Sequence, residues 1–186
     1  MLRPHRRIYF VRMLHGRGVC RLAPPRTIAA VITAAGDSLC QLVVESQDVL
    51  DGRRVLVCSC LGATLDGAAL QQWYKQLHVH LPGRCPVTLA HRLLLHNAVG
   101  APLLIAAFVA TTAALEGHAA PWDKVSQEWV PGVCAHWLCM APLLTINALR
   151  VPNHFQVLCV NCAALVWNVG LSWLCHRPLL AQKRRE

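Results

Sequence analysis

The sequence predicts an all-α helix bundle embedded in a membrane, and three observations lead there. Of its 186 residues 55% are hydrophobic and 15% charged, with a mean hydropathy of +0.39, whereas a water-soluble domain carries about a quarter charged residues to cover its surface. Apolar runs long enough to cross a bilayer follow one another along the chain, separated by short polar or proline-bearing breaks. Lysines and arginines collect in an N-terminal arm, in the stretch from Lys75 to Arg92 and in the C-terminal tail, while the other two longer loops are net acidic. By the positive-inside tendency the three basic pieces share one side, which requires an even number of crossings. The expectation is four spans: either the fourth and fifth apolar runs share one full crossing plus a partial or interfacial helix, or the C-terminal tail sits on the other side.

Three regions are expected: a basic arm over 1–26, a membrane-spanning helical domain over 27–176 and a basic tail over 177–186. Seven arginines from Arg3 to Arg26 precede the first apolar run with no acid among them. Such an arm reads either as a mitochondrial import signal or as a segment lying on anionic headgroups.

The first run, Thr27 to Val44, follows Pro24 and Pro25, which suit a helix start. Its length matches the roughly 18 to 20 residues a crossing needs. Thr33, Asp37 and Gln41 recur every fourth position and so form a polar stripe on one face. An acidic loop (Glu45, Asp48, Asp51) and Arg53-Arg54 lead into the second run, from Val55 to Trp73-Tyr74-Lys75. Small residues at Gly62, Ala63, Gly67 and Ala68 admit a close neighbour, and Asp66 is a second intramembrane acid. Trp73, Tyr74 and Lys75 read as interface anchors, as do Trp129 and Trp173 further on.

The third run, Leu93 to Leu115, begins with His96, Asn97, Gly100 and Pro102, a polar stretch expected to be kinked. It continues with Ala106, Ala110 and Ala114, a small-residue packing stripe. The fourth, Val130 to Leu149, puts His136 and Asn147 on nearly one face, and the fifth runs from Phe155 to Leu174.

Most of the ten cysteines lie inside apolar runs, where cysteine behaves as a small hydrophobe. Cys159 and Cys162 share a helix face but lack a second half with zinc spacing, so no metal site and no cofactor are expected. Catalysis has no nucleophile elbow, phosphate loop or helical His-Glu zinc motif to stand on, so the chain is not expected to be an enzyme. Nucleic acid is not expected as a partner either, because headgroups account for the basic arm. The expected partners are the lipid bilayer, anionic headgroups at the basic tails and other membrane protein subunits.

An ordered set of short motifs resembles the Mpv-seventeen and twenty-two-kilodalton peroxisomal membrane protein family. The set comprises Gly36-Asp37 with Gln41; Trp73-Tyr74-Lys75, Leu77 and Pro82-Gly83; Ala101-Pro102; Glu116-Gly117; Asn147 with Val151-Pro152; and Trp167-Asn168 with Leu171-Ser172-Trp173. It extends over about Pro24 to Arg177. The resemblance implies a four-span protein of the mitochondrial inner membrane, alternatively the peroxisomal membrane, without enzymatic chemistry; some members look like weakly selective channels. The sequence departs from the family pattern at His78, usually an acid, and at His96-Asn97, usually Asp-Gln. It departs again at Met140-Ala141, Leu144 and Phe155-Gln156.

An acid at the bilayer centre costs about 2.5 to 3.5 kcal/mol on insertion scales and so needs a partner or water. Asp37, Gln41, Asp66, His96, Asn97, His136 and Asn147 are therefore the candidate bundle-interior polar residues. They form either a polar path or interhelical hydrogen-bond glue, and glue is the preferred reading. The functional expectation is a structural or accessory subunit of a larger membrane assembly; the alternative is a weakly selective small-solute channel.

Overall fold

A computed structural model describes residues 24–177, apart from 84 and 118–119. Most of the basic arm and the tail beyond Arg177 lie outside the described residues. Among the described residues there is no strand.

Helix α1 covers Pro25–Leu39 and continues through a π-helical turn, Cys40–Val44. Pro24 is extended and Pro25 opens the helix, where a missing N–H costs nothing. Helix α2 is built from Gly52–Leu61, a π-helical stretch Gly62–Ala69 and Leu70–His80. Asp51 caps it by accepting from Arg53 N and Arg54 N at 2.9 and 3.2 Å. Its other end stops at Pro82-Gly83, where Gly83 has φ +133°, a conformation open to glycine. Buried Arg92 secures that end by donating to the carbonyls of Leu81 and Gly83.

Helix α3 runs through Pro86–Leu95, a π-helical turn His96–Gly100 and Ala101–Leu115. Pro102 cannot donate to the ladder, and the π turn immediately before it absorbs the disruption. Helix α4 is Pro121–Arg150 and α5 is Asn153–His176. The break between them is Val151-Pro152. Gln156 Nε2 crosses it to donate to the carbonyls of Asn147 and Val151 at 3.2 and 3.0 Å. The fourth and fifth apolar runs are thus two full helices and do not share a single crossing.

A core of Leu61, Ile105, Phe108, Val109, Val133, Leu171 and Cys175 joins α2, α3, α4 and α5. Helix α1 packs on α2 and α5. Much of the outer surface is apolar, with Val43, Leu94, Leu103, Leu138 and Val166 all exposed, as lipid contact requires. Four helical stretches are long and apolar enough to span: Pro25–Val44, Val87–Leu115, Pro121–Asn147 and Leu158–His176. The number agrees with the expectation but the membership does not. The fifth run qualifies, while α2, which carries Arg53, Arg54, Asp66, two glutamines at 71–72 and Lys75, is the helix outside the set.

The even parity expected from loop charge fits four spanning stretches but not the direction of the last helix. A Cβ on Gly36 would meet Asn168, and Asp37 meets Ser172, so α1 and α5 run in parallel. The start of α1 and the end of α5 therefore lie at opposite ends of the bundle. Among the described residues, Arg177 near the end of α5 is neutralised by Glu128 and so is a weak topological marker.

Candidate functional site

The polar stripe of α1 faces inward at the end of the bundle where the acidic loops lie. Thr33, Asp37 and Gln41 are buried, Asp37 and Gln41 completely. Asp37 Oδ1 accepts from Arg54 Nε at 2.8 Å and from Ser172 Oγ at 2.5 Å, and Oδ2 accepts from Gln41 Nε2 at 2.9 Å. Asp37 thus faces the second and fifth helices. Gln41 Oε1 in turn accepts from Asp51 N at 2.7 Å, tying α1 to the cap of α2.

Arg54 is the hub of this network. Besides Asp37 it donates to both Glu45 oxygens, at 2.7 and 2.9 Å, and to Ser172 Oγ at 3.0 Å. Those hydrogen bonds hold the Glu45 carboxyl below the usual carboxylate range against the opposing effect of burial. Beside the network His176 Nε2 lies 2.6 Å from Glu116 Oε1, and Arg177 pairs with the fully buried Glu128 and stacks on Trp173. Lys124, also fully buried, donates to the Arg177 carbonyl.

The remaining interior candidates sit apart from this cluster. Tyr74, His96, His136 and Trp167 form a row of ring contacts, at centroid separations of 5.1, 6.1 and 5.0 Å. Within or next to it His96 Nδ1, both nitrogens of His136 and Asn97 Oδ1 are buried without a hydrogen-bond partner, as are both amide atoms of Asn147 near the α4–α5 break. Asp66 is half-buried beside the Thr33 hydroxyl. The structure thus separates the candidates into a satisfied ionic cluster at one end and an unsatisfied histidine and amide row elsewhere.

Of the expected anchors, Lys75 is exposed and Trp73 and Tyr74 are half-buried. Trp73 packs so closely on Gly100 that a Cβ there would sit 2.6 Å from its Nε1. Trp129 and Trp173 are partly exposed, and Trp129 Nε1 donates to Pro102 O at 2.9 Å. Ala106 and Ala110 are half-buried and Ala114 is exposed. Cys159 and Cys162 are exposed free thiols.

Sequence reading missed Arg54, Glu45, Ser172, His176 and Glu128. A signal for the first two was present, since Glu45 and Arg54 flank a short loop between adjacent antiparallel helices. Ser172 was marked only as part of the Leu171-Ser172-Trp173 motif and His176 not at all, because their partners Asp37 and Glu116 lie on other helices far away in the chain.

Comparison with known proteins finds relatives over most of the chain. The family model described as Mpv17 / PMP22 family matches residues 113–172. The mitochondrial inner membrane protein Mpv17 of Homo sapiens is 28% identical over 153 residues, covering 80% of this chain and 87% of its own. Protein sym-1 of Neurospora crassa is 27% identical over 153 residues, with 78% and 86% covered. Protein SYM1 of Mycosarcoma maydis is 26% identical over 147 residues, with 76% and 73% covered.

The chain is similar to the Mpv17 / PMP22 family, in the family model over residues 113–172 and in the relatives over most of its length. It is a multi-pass protein of the mitochondrial inner membrane. No solved structure matches it. In Mpv17 / PMP22 terms, the Gly36-Asp37 motif of α1 and the Trp167-Asn168 and Leu171-Ser172-Trp173 motifs of α5 meet: Gly36 packs on Asn168, and Asp37 accepts from Ser172. Trp73-Tyr74 of α2 likewise meets Gly100 and His96 of α3.

Proposed function

We propose that this Mpv17-family protein is a structural or accessory subunit of a larger inner-membrane assembly. The observation that carries the reading is how Asp37, the strongest candidate for lining a path, is used: its two oxygens accept from Arg54, Ser172 and Gln41, all side chains of the bundle, and Arg54 is further held by Glu45. Polar groups spent on one another fasten helices α1, α2 and α5 instead of wetting a lumen. The Ala106, Ala110 and Ala114 ridge, half-buried to exposed, retains surface that a helix of another chain can approach closely. On a non-denaturing gel of mild-detergent membrane extract, the chain should migrate well above its 20.5 kDa, and Ala110→Leu should release it while leaving membrane insertion intact.

The second reading is a weakly selective channel for small solutes, favoured by the unpartnered His96, His136 and Asn147 atoms, which water could satisfy. Robust solute-selective conductance from the purified chain in a planar bilayer, with Ala110→Leu leaving its partners unchanged, decides for the channel.

A further inference from the structure

Three side chains distant in sequence converge at the acidic-loop end of the bundle. A carboxylate oxygen of Asp37 on α1, Cys58 Sγ on α2 and a ring nitrogen of His176 on α5 lie within 4.8 Å of one another. Asp37 is completely buried and Cys58 nearly so, and the His176 side chain is 8% exposed. We propose that these residues form a binding site for one zinc-class divalent cation. Sulfur, imidazole nitrogen and carboxylate oxygen together suit that borderline-soft ion, and three protein ligands leave a fourth position for water.

The state of His176 supplies the independent argument. Its Nδ1 lies 2.7 Å from the Ser172 carbonyl, a group that can only accept, so Nδ1 carries a proton and the tautomer is set. This is how metal-binding histidines are commonly oriented from behind. Nε2 is then the nitrogen left for a ligand. It is buried, approaches Glu116 Oε1 at 2.6 Å, and yet makes no hydrogen bond of acceptable geometry. A lone pair that close to a carboxylate oxygen calls for a cation, either a second proton on the ring or a metal ion, and the adjacent thiol and carboxylate favour the metal.

Arg54 does not exhaust Asp37. Oδ1 holds Arg54 and Ser172, whereas Oδ2 holds the single amide of Gln41, so it retains a lone pair. Cys58, a free thiol with no hydrogen-bond partner among the described residues, would bind as the thiolate and release its proton to solvent. An ion here would tie α1, α2 and α5 together, the same helices the Arg54 network joins.

The test uses the full chain in detergent, stripped with chelator and titrated with Zn2+ or, as a spectroscopic substitute, Co2+. The wild type and the neighbouring-thiol variant Cys60→Ser should each take up one ion per chain, with a thiolate-to-cobalt charge-transfer band. Cys58→Ser should lose the band and weaken binding at least tenfold, with its metal-free circular dichroism unchanged. Zinc K-edge absorption on the wild type, which needs no variant, should show one sulfur among nitrogen and oxygen neighbours. A band that survives Cys58→Ser, a sulfur-free or all-sulfur shell, or no uptake by the wild type overturns the proposal and leaves His176 as a proton-charged partner of Glu116.

Discussion

Asp37 on α1 and Arg54 on α2 meet at 2.8 Å with their side chains 0% and 9% exposed, and Arg54 bridges onward to Glu45. A buried pair of this kind is weak evidence for net stability, because desolvation offsets most of the attraction, but removing one partner strands the other. Arg54→Leu should therefore destabilise the chain by about 3 to 5 kcal/mol. Asp37→Asn should be milder, since an amide still accepts from Ser172 and Arg54 keeps Glu45, whereas Asp37→Leu should resemble Arg54→Leu. Thermal unfolding in detergent ranks the three, and equal tolerance of Asn and Leu at 37 would show that the carboxylate position makes no essential polar contact.

The approach of α1 to α5 depends on Gly36. An added Cβ would sit 2.6 Å from Asn168 Cβ and 3.1 to 3.2 Å from the backbone of 168 and 169, and backbone cannot swing aside as a flexible side chain can. Gly36→Ala should cost about 1 to 3 kcal/mol, as overpacking does. Gly52→Ala, with nothing within 4 Å, serves as the control and should change stability little. Matched unfolding midpoints for the two variants would contradict the close packing.

Acid should loosen the α1 to α2 junction. The Glu45 carboxyl is held below its ordinary range chiefly by hydrogen bonds from Arg54. Because the folded value lies below the unfolded one, its contribution is present above the ordinary carboxylate range and is lost as pH falls through the depressed folded value. Unfolding midpoints measured from neutral to acid pH should fall in that window for the wild type, and the fall should be shallower in Glu45→Gln. Parallel profiles would assign the acid sensitivity to other groups.

Topology offers a test that needs no purified protein. With α1 and α5 parallel, a tag ahead of Arg26 and a tag after Arg177 should lie on opposite sides of the inner membrane. Protease added to mitoplasts should remove one and spare the other. Protection or loss of both would restore the even parity that loop charge suggests.

Much of the fold was legible because it is dictated by solvent. Apolar runs separated by Pro24-Pro25, Pro82-Gly83 and Val151-Pro152 can only be helices in lipid, where every backbone group must be bonded within its own segment. The inward face of α1 was legible for the same reason: Thr33, Asp37 and Gln41 at four-residue spacing cannot all face hydrocarbon, and all are buried. Which runs span was less so. Hydropathy along a chain does not register that α2 is sheltered by α1 on one side, nor that its Arg54 is neutralised there.

What the sequence by itself determined is the class of the molecule, the start of α1, the stop of α2 and the identity of the interior acid, whereas α3 and α4 begin at Pro86 and Pro121, ahead of their apolar runs. Tertiary structure alone decided the partners. Asp37 was bound to need compensation, but nothing local distinguishes Arg54 from Arg53, which instead reaches the Leu115 carbonyl, or selects Ser172, 135 positions away. The direction of α5 was equally hidden. Parity is set by how many helices pack side by side, and among the described residues Arg177 is cancelled by Glu128 and Arg54 by Asp37 and Glu45 once the chain has folded.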